Sequence, residues 1–341
     1  MKKLRVAVIG NGSIAKYRHI PEYASREDVE LVAFCDFTIE LAEKNVERFG
    51  GKAYTSYEEL LANEEVDVVS VCTQNVDHAK VSIAAAKAGA HVLCEKPMAT
   101  SIEDAQEMIS AAKENNVQLM IGHNQRLMPP HVKAKEVLAS GKLGKVLTFK
   151  TNFGHGGPDA WSVQGDTSWF FDRSKAFVGA MGDLGVHKID LIRWLLSEEV
   201  TEVAAFVETL DKQGDVDDNA TCLLRMESGA IGTMAASWTY YKGEDNTTSI
   251  YCEHGVLEIK DSSEEQVVVR LTDGTVERYQ VGAIATNEEG GQHSSGVIDA
   301  FITSIQEGTE PAITGEEGMK SLNVVLAALE SAETRAFVKV K

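Results

Sequence analysis

At 341 residues the chain is too long for one ordinary hydrophobic core, so two domains are expected. It is 43% hydrophobic and 25% charged, the balance of a globular protein. Its formal net charge of −19 argues against nucleic acid and anionic membrane surfaces as partners. No segment approaches the roughly 20 apolar residues of a membrane span. The apolar run behind the basic start reaches only Ile9, so it reads as a core strand and not as a secretory leader. The five cysteines, an odd set with no Cys-x-x-Cys pair, read as reduced thiols of a cytoplasmic protein.

The stretch Val6 to Ala15, Val-Ala-Val-Ile-Gly-Asn-Gly-Ser-Ile-Ala, is a buried strand that breaks into a glycine turn and opens a helix. Gly10 supplies a turn conformation that a β-carbon would resist, and Gly12 lets the backbone approach a pyrophosphate. Ser13 and Ile14 begin the helix, whose free N–H groups and positive dipole end face the phosphates, and Ala15 keeps it tight on the sheet. A second apolar strand, 29–35, ends at Asp36, 21 residues past Ala15. That is near the ~20-residue spacing of a carboxylate that grips an adenosine ribose. Phe37 and Thr38 offer no cation for a 2′-phosphate, which favours NAD over NADP.

Apolar runs at 66–72, 91–94 and 117–121 continue the pattern, with helical periodicity at 38–49, 77–88 and 101–115. This alternation predicts an α/β unit, an open doubly wound parallel sheet of the Rossmann type. Ligands sit beyond the carboxyl ends of such strands, so Gly10, Asp36, Thr73, Glu95 and His123 are expected on one rim.

The pattern changes after Pro129-Pro130. A helix over about 131–140 leads to a strand over 145–153, an irregular stretch from Gly154 to Gly179 and a helix over 183–197. Residues 200–281 give several strands joined by tight turns such as Asp273-Gly274, which imply an antiparallel sheet. Helices over 292–307 and 315–334 close the chain. The expected division is 1–123 for cofactor binding and 124–341 for an α+β domain that binds substrate.

Two constellations carry chemistry. Glu95-Lys96-Pro97 ends a strand on the predicted rim, where the proline fixes the backbone and aims Lys96 at a substrate hydroxyl or carbonyl. A solvated lysine at a strand end is the plainer reading. Asp183, His187 and Asp190 are spaced by four and three residues, one helical face. A histidine ordinarily titrates near neutral pH, as an acid/base that shuttles an alcohol proton must, which makes His187 the candidate, and Asp183 can orient it or hold substrate. A helix-capping Asp183 and a core His187 remain open, as does a metal set completed by His155. No fourth ligand is evident, and hydride transfer needs no metal.

Neighbouring loops give weaker signals. Thr73, Asn75 and His78 follow the third long strand, where Asn75 can equally cap the next helix. Asn124 and Arg126 follow the last parallel strand, over the nicotinamide or as a polar hinge between domains. Trp161 and Trp169 flank the irregular stretch and offer aromatic faces to a sugar ring or to the core.

Together these pieces resemble the family of glucose–fructose oxidoreductase, inositol 2-dehydrogenase and rhizopine catabolism proteins (Gfo/Idh/MocA). The resemblance spans essentially the whole chain, through Gly10-Asn-Gly-Ser-Ile-Ala15, Glu95-Lys-Pro97, Asn124-Gln-Arg126 and Gly182-Asp-Leu-Gly-Val-His187-Lys-Ile-Asp190. It implies that Lys96 binds the reacting hydroxyl, with a cis peptide before Pro97, that His187 is the general acid/base, and that Asp183 is its partner in substrate binding. It further implies cofactor contacts from Gly10, Gly12, Ser13, Ile14, Asp36, Thr73, Asn75, His78, Glu95, Lys96, Asn124 and Arg126. Substrate contacts would come from Lys96, Arg126, His155, Trp161, Trp169, Asp183 and His187. A large, mostly antiparallel open sheet and a homodimer or homotetramer formed through it also follow. The sequence departs from the pattern at Gln74, where proline is common, at Phe170, where arginine is frequent, and at Ala180-Met181 within the usual triple glycine. The expected activity is NAD-dependent oxidation of a secondary alcohol of a cyclitol or pyranose sugar. An NAD-dependent glycoside hydrolase and a non-catalytic NAD-binding regulator are the alternatives.

Overall fold

A computed structural model describes residues 3–261, 264–282 and 294–341. The first sheet holds β1 (Leu4–Ile9), β2 (Val29–Cys35), β3 (Lys52–Tyr54), β4 (Val68–Val71), β5 (His91–Cys94) and β6 (Leu119–Ile121). All five pairings are parallel, and the order is β3-β2-β1-β4-β5-β6. The sequence order therefore reverses between β1 and β4, which opens a crevice above their carboxyl ends. The strands are nearly continuous Val, Ile, Leu and Ala because both faces are covered: Val6, Ala7, Val8, Val68 and Val69 are wholly buried. The covering helices are α1 (Ile20–Ala24), entered through a π turn at Ala15–His19, α2 (Ile39–Phe49), α3 (Tyr57–Asn63), α4 (His78–Lys87) and α5 (Ile102–Glu114). Ser56 and Ser101 cap α3 and α5 by accepting the N–H groups of Glu59 and Asp104. Strand β3 and helix α3 are additions to the expected pattern; three residues with one partner leave too short an apolar signal.

The second unit begins with α6 (Pro129–Ala139) and β7 (Val146–Gly154), then passes two single-turn helices, α7 (Pro158–Trp161) and α8 (Arg173–Ala176). Helix α9 (Val186–Leu196) is preceded by a π turn, Met181–Gly185, where the sequence predicts a helix starting at 183. Strands β8 (Val200–Glu208), β9 (Asn219–Met226), β10 (Ile231–Ser237), β11 (Thr248–Cys252), β12 (Gly255–Ile259), β13 (Val267–Leu271) and β14 (Val276–Tyr279) join β7 in a nine-stranded sheet. Every pairing is antiparallel except β7 with β10. Strand β9 shows why one face is covered: Ala220, Cys222, Leu224 and Met226 are buried, while Thr221, Leu223 and Arg225 point outward. Helix α9 packs on the inner face and is buried on nearly all sides from Val186 to Arg193, so its periodicity is weak.

The chain ends with α10 (Val297–Glu307), α11 (Gly315–Thr334) and the two-residue edge strand β15 (Val338–Lys339). Residues 292 and 293 of the expected penultimate helix lie outside the described residues. Val297, Ile298, Phe301, Ile302 and Ile313 join the hydrophobic core of the first unit. The Ile121 N–H donates to the Ile313 carbonyl, and Thr314 bridges Met120. A cut at 123 therefore does not separate the two cores: the C-terminal segment returns to seal the edge left open beside β6. Helix α11 packs against both α5 and β8 and ties the units together.

Candidate active site

The crevice above the first sheet and the irregular segment of the second unit enclose one cavity of about 860 Å³, within the range of small-molecule sites. At its floor the chain leaves β1 through Gly10, at φ +90°, whose N–H donates to Cys35 O at 2.8 Å. A β-carbon on Gly10 would lie 2.3 Å from the Cys72 carbonyl, whereas one on Gly12 would meet nothing within 4 Å. The first glycine is demanded by the protein, and the second leaves the backbone open to a bound group. Asp36 stands beside this turn, its carboxylate accepting the N–H of Asn11 at 2.7 Å and of Thr38 at 2.8 Å. Phe37 is 71% exposed and lines the cavity with Asp36 and Thr38; among the described residues the lining cations are Lys80, paired with Asp77, and Lys96. The cradle thus fits a dinucleotide: open backbone for the pyrophosphate, a fixed carboxylate for the ribose.

Ser13, Ile14, Thr73, Asn75, His78, Glu95 and Asn124 also line the cavity. Several serve as braces too. The Asn75 side-chain amide donates to Ala176 O at 2.9 Å and links the two units. His78 stands between Pro97 O at 2.8 Å and Thr73 O at 3.2 Å, and burial holds its ring neutral. Glu95 contacts His19 Nε2 at 2.9 Å, and His19 Nδ1 in turn contacts Ser70 Oγ. The irregular segment closes over the turn: Ser13 Oγ accepts the Val163 N–H at 3.1 Å.

At the far end, Lys96 precedes a cis peptide to Pro97. Its ammonium donates to Asp183 Oδ1 at 2.8 Å and to the Asp183 carbonyl at 2.9 Å. The other oxygen of Asp183 accepts the Trp238 indole N–H at 3.1 Å, so the carboxylate is held from two sides. His187 lines the same cavity, 8% exposed, with Phe153 and His123 rings 5.9 and 6.4 Å away. Burial, followed by the charges of Lys96, His123, Lys188 and His131, holds the imidazole well below its ordinary value. It is therefore a neutral base at pH 7. His155, Trp161 and Trp169 line the wall. Trp161 meets Phe170 edge-on at 5.0 Å, and Phe170 stacks on Trp169 at 4.0 Å, which makes an aromatic lining where the family pattern often has an arginine.

The structure corrects the reading of Arg126 and Asp190. Arg126 does not line the cavity. Its Nε and Nη2 each donate to Asp190 at 2.7 Å, and Nη2 also reaches Glu317 at 3.0 Å. Asp190, grouped by spacing with Asp183 and His187, is wholly occupied by this pair and by Ser321 Oγ at 2.9 Å. The partner that draws Arg126 inward lies 64 residues away, beyond the reach of local spacing. His123, expected on the rim, also lies outside the lining and sits behind His187. Trp238, Tyr240 and Asn246 belong to the site without having been singled out, since each stands in a stretch with no motif, and Gln125, passed over inside Asn124-Gln-Arg126, lines the cavity as well.

Residues 4–123 match the family model described as "Oxidoreductase family, NAD-binding Rossmann fold", and residues 131–258 match the "GFO/IDH/MocA C-terminal domain". The chain is 30% identical to myo-inositol 2-dehydrogenase of Thermotoga maritima, with 99% of each chain covered. It is 28% identical to levoglucosan dehydrogenase of Pseudarthrobacter phenanthrenivorans, covering 100% of this chain and 99% of that one. A solved levoglucosan dehydrogenase in complex with NADH and L-sorbose superposes with a TM-score of 0.87 at 26% identity, each chain fully covered.

Proposed function

Since the chain belongs to the GFO/IDH/MocA oxidoreductase family, we propose that it transfers a hydride between a secondary alcohol of a cyclitol or pyranose sugar and NAD. The observation that carries this reading is the meeting of Lys96, Asp183 and His187 at the end of a cavity that begins at the dinucleotide turn. Gly10, Gly12, Ser13, Ile14 and Asp36 would hold the cofactor, and bound NAD supplies the hydride acceptor. Lys96 donates to the reacting oxygen and stabilises the charge that develops there, while Asp183 fixes the direction of the ammonium. His187, neutral because it is buried among cations, takes the hydroxyl proton. Trp161, Trp169 and Phe170 pack against the apolar faces of the ring and keep water from the reacting carbon. Relatives named for inositol, levoglucosan and apiose share a substrate chemistry of adjacent ring hydroxyls, which sets the class.

The division of labour follows the two cores, with the segment from Val297 to Ile313 buttressing the cofactor unit. The outer face of the second sheet exposes Phe206, Leu223 and Ile231 by 75%, 52% and 51%. A second copy of the chain covers this face in the reading we favour, giving a homodimer or homotetramer. A cytoplasmic setting belongs to the same reading, because all five cysteines are unpaired and buried. Among the described residues no helix is long and apolar enough to cross a membrane. The test follows NADH absorbance with NAD, and NADP in parallel, against inositols, hexoses, anhydrosugars and their derivatives. A saturable signal lost in His187→Ala supports the assignment; silence across the panel with NAD still bound overturns it.

A further inference from the structure

Six buried polar atoms without a hydrogen-bond partner in the protein stand on α9, α6 and the turn after β6, elements that pack together: His187 Nδ1, Lys188 Nζ, His131 Nε2, His123 Nδ1, Gln125 Oε1 and Asn124 Oδ1. Among the described residues only Ser82 Oγ and Trp161 Nε1 share that condition. The group spans the start of α9, the facing helix α6 and the turn after β6. Lys188 Nζ lies 5.8 Å from the Phe153 ring centre, and that ring is 5.9 Å from His187. Lys188 and His131 both act on the His187 imidazole electrostatically.

The hydrogen-bonding capacities of these atoms are complementary. His131 Nδ1 donates to the Gln125 carbonyl at 2.6 Å, so its Nε2 carries a lone pair. The Gln125 amide nitrogen faces Asn246 Oδ1 at 3.4 Å, leaving Oε1 as the acceptor on the other side. Lys188 brings donors alone. A water among them would accept from Lys188 and from His187 Nδ1–H, and donate to His131 Nε2 and Gln125 Oε1. Buried waters make about three such bonds to otherwise unsatisfied groups.

We propose that a buried water site links Lys188 to His187 Nδ1, and that Lys188 is thereby a positioning residue that holds the base with its proton on Nδ1 and its lone pair on Nε2, toward the cavity. The charged groups around the pair agree with this. Glu244, Asp245 and Asp261 favour the Lys188 ammonium, while burial, the larger effect, brings it down to about 7. Lys188 is therefore charged over the range in which His187 titrates. Around His187 stand Lys96 after β5, His123 after β6, His131 on α6 and Lys188 on α9, each of which opposes a second proton on the ring. Asp183, four residues before His187, is held by Lys96 and Trp238.

The consequence for catalysis rests on His187 being the base of the proposed reaction; the water site and the tautomer do not. The test is ¹⁵N-histidine NMR of the whole protein, with His187 assigned from the His187→Gln spectrum. The wild-type ring should be the neutral Nδ1–H tautomer and should stay so well below the ordinary histidine range. In Lys188→Met, a neutral side chain of similar length, loss of a nearby positive charge should raise the His187 pKa by about one unit. The acidic limb of kcat/KM for the alcohol should rise by the same amount, with KM for NAD unchanged. A wild-type ring protonated on Nε2 overturns the proposal even if the variant fails to fold, and so does an unshifted His187 titration in Lys188→Met. The NMR shift in a protein that oxidises no alcohol supports the water site and sinks only the assigned reaction.

Discussion

Arg126 invites opposite expectations from sequence and structure, and Arg126→Met separates them. The guanidinium is 5% exposed, and its partner Asp190 is 1% exposed. Two 2.7 Å hydrogen bonds join them, and a third bond reaches Glu317. Removing one member of a buried ion pair costs about 3–5 kcal/mol, because the other charge stays behind without its counterpart. Asp190 would keep Ser321 at 2.9 Å, with Arg193 and His123 each 3.8 Å away, so the low end of that range, about 3 kcal/mol, applies. At about 2–4 °C per kcal/mol for domains of this order, Tm should fall by about 6–12 °C. Calorimetry measures that fall, and NADH-linked kinetics well below the melt should give unchanged KM for NAD and alcohol. The double variant Arg126→Met, Asp190→Leu should regain most of the loss, since an apolar pair of similar volume replaces the ion pair. A normal Tm with a KM raised about tenfold (roughly 1.4 kcal/mol of lost binding) would refute the strut and return Arg126 to the ligand.

Other outcomes are equally specific. Lys96→Met should lower kcat by about 10²–10³ with little change in NAD affinity, the loss typical of one charge-stabilising donor; a near-normal kcat would remove Lys96 from the chemistry. Asp36→Ser should weaken NAD by on the order of tenfold or more, since a charged hydrogen bond contributes about 1.5–3 kcal/mol, and should narrow the gap to NADP. Comparing the two KM values decides it, and an unchanged NAD KM would mean that the carboxylate serves only the Asn11 and Thr38 N–H groups. Burial holds His123 and His131 at about 4 and about 3, against about 6.5 unfolded. Unfolding therefore takes up protons as pH falls below about 6.5, and each histidine removes about 1.4 kcal/mol per pH unit until its folded pKa is reached. Urea titrations from pH 7 to 4.5 should show that slope, reduced by one proton in His131→Leu; a flat profile would mean these rings are already charged in the folded protein.

What the amino-acid sequence by itself determined are the features whose physics is local. The first sheet follows from strands that must be apolar on both faces, and the dinucleotide turn from a glycine that alone tolerates φ +90° beneath Cys72. Asp36 and Lys96 are legible because each stands at the end of an apolar strand, and His187 because its four-residue distance from Asp183 can be counted along the chain. Their assembly depends on contacts between distant segments. Lys96 meets Asp183 across 87 residues and Asp183 meets Trp238 across 55, separations at which no periodicity survives. Two residues three apart on one helix went separate ways, His187 to the cavity and Asp190 to Arg126, and only the packing of α9 against its neighbours distinguishes them. The edge of the first sheet was likewise decided late, by residues near 313 returning to a strand laid down before 122. Tertiary structure made these choices because a buried charge accepts only a partner brought to within about 3 Å, and which partner arrives is a property of the fold as a whole.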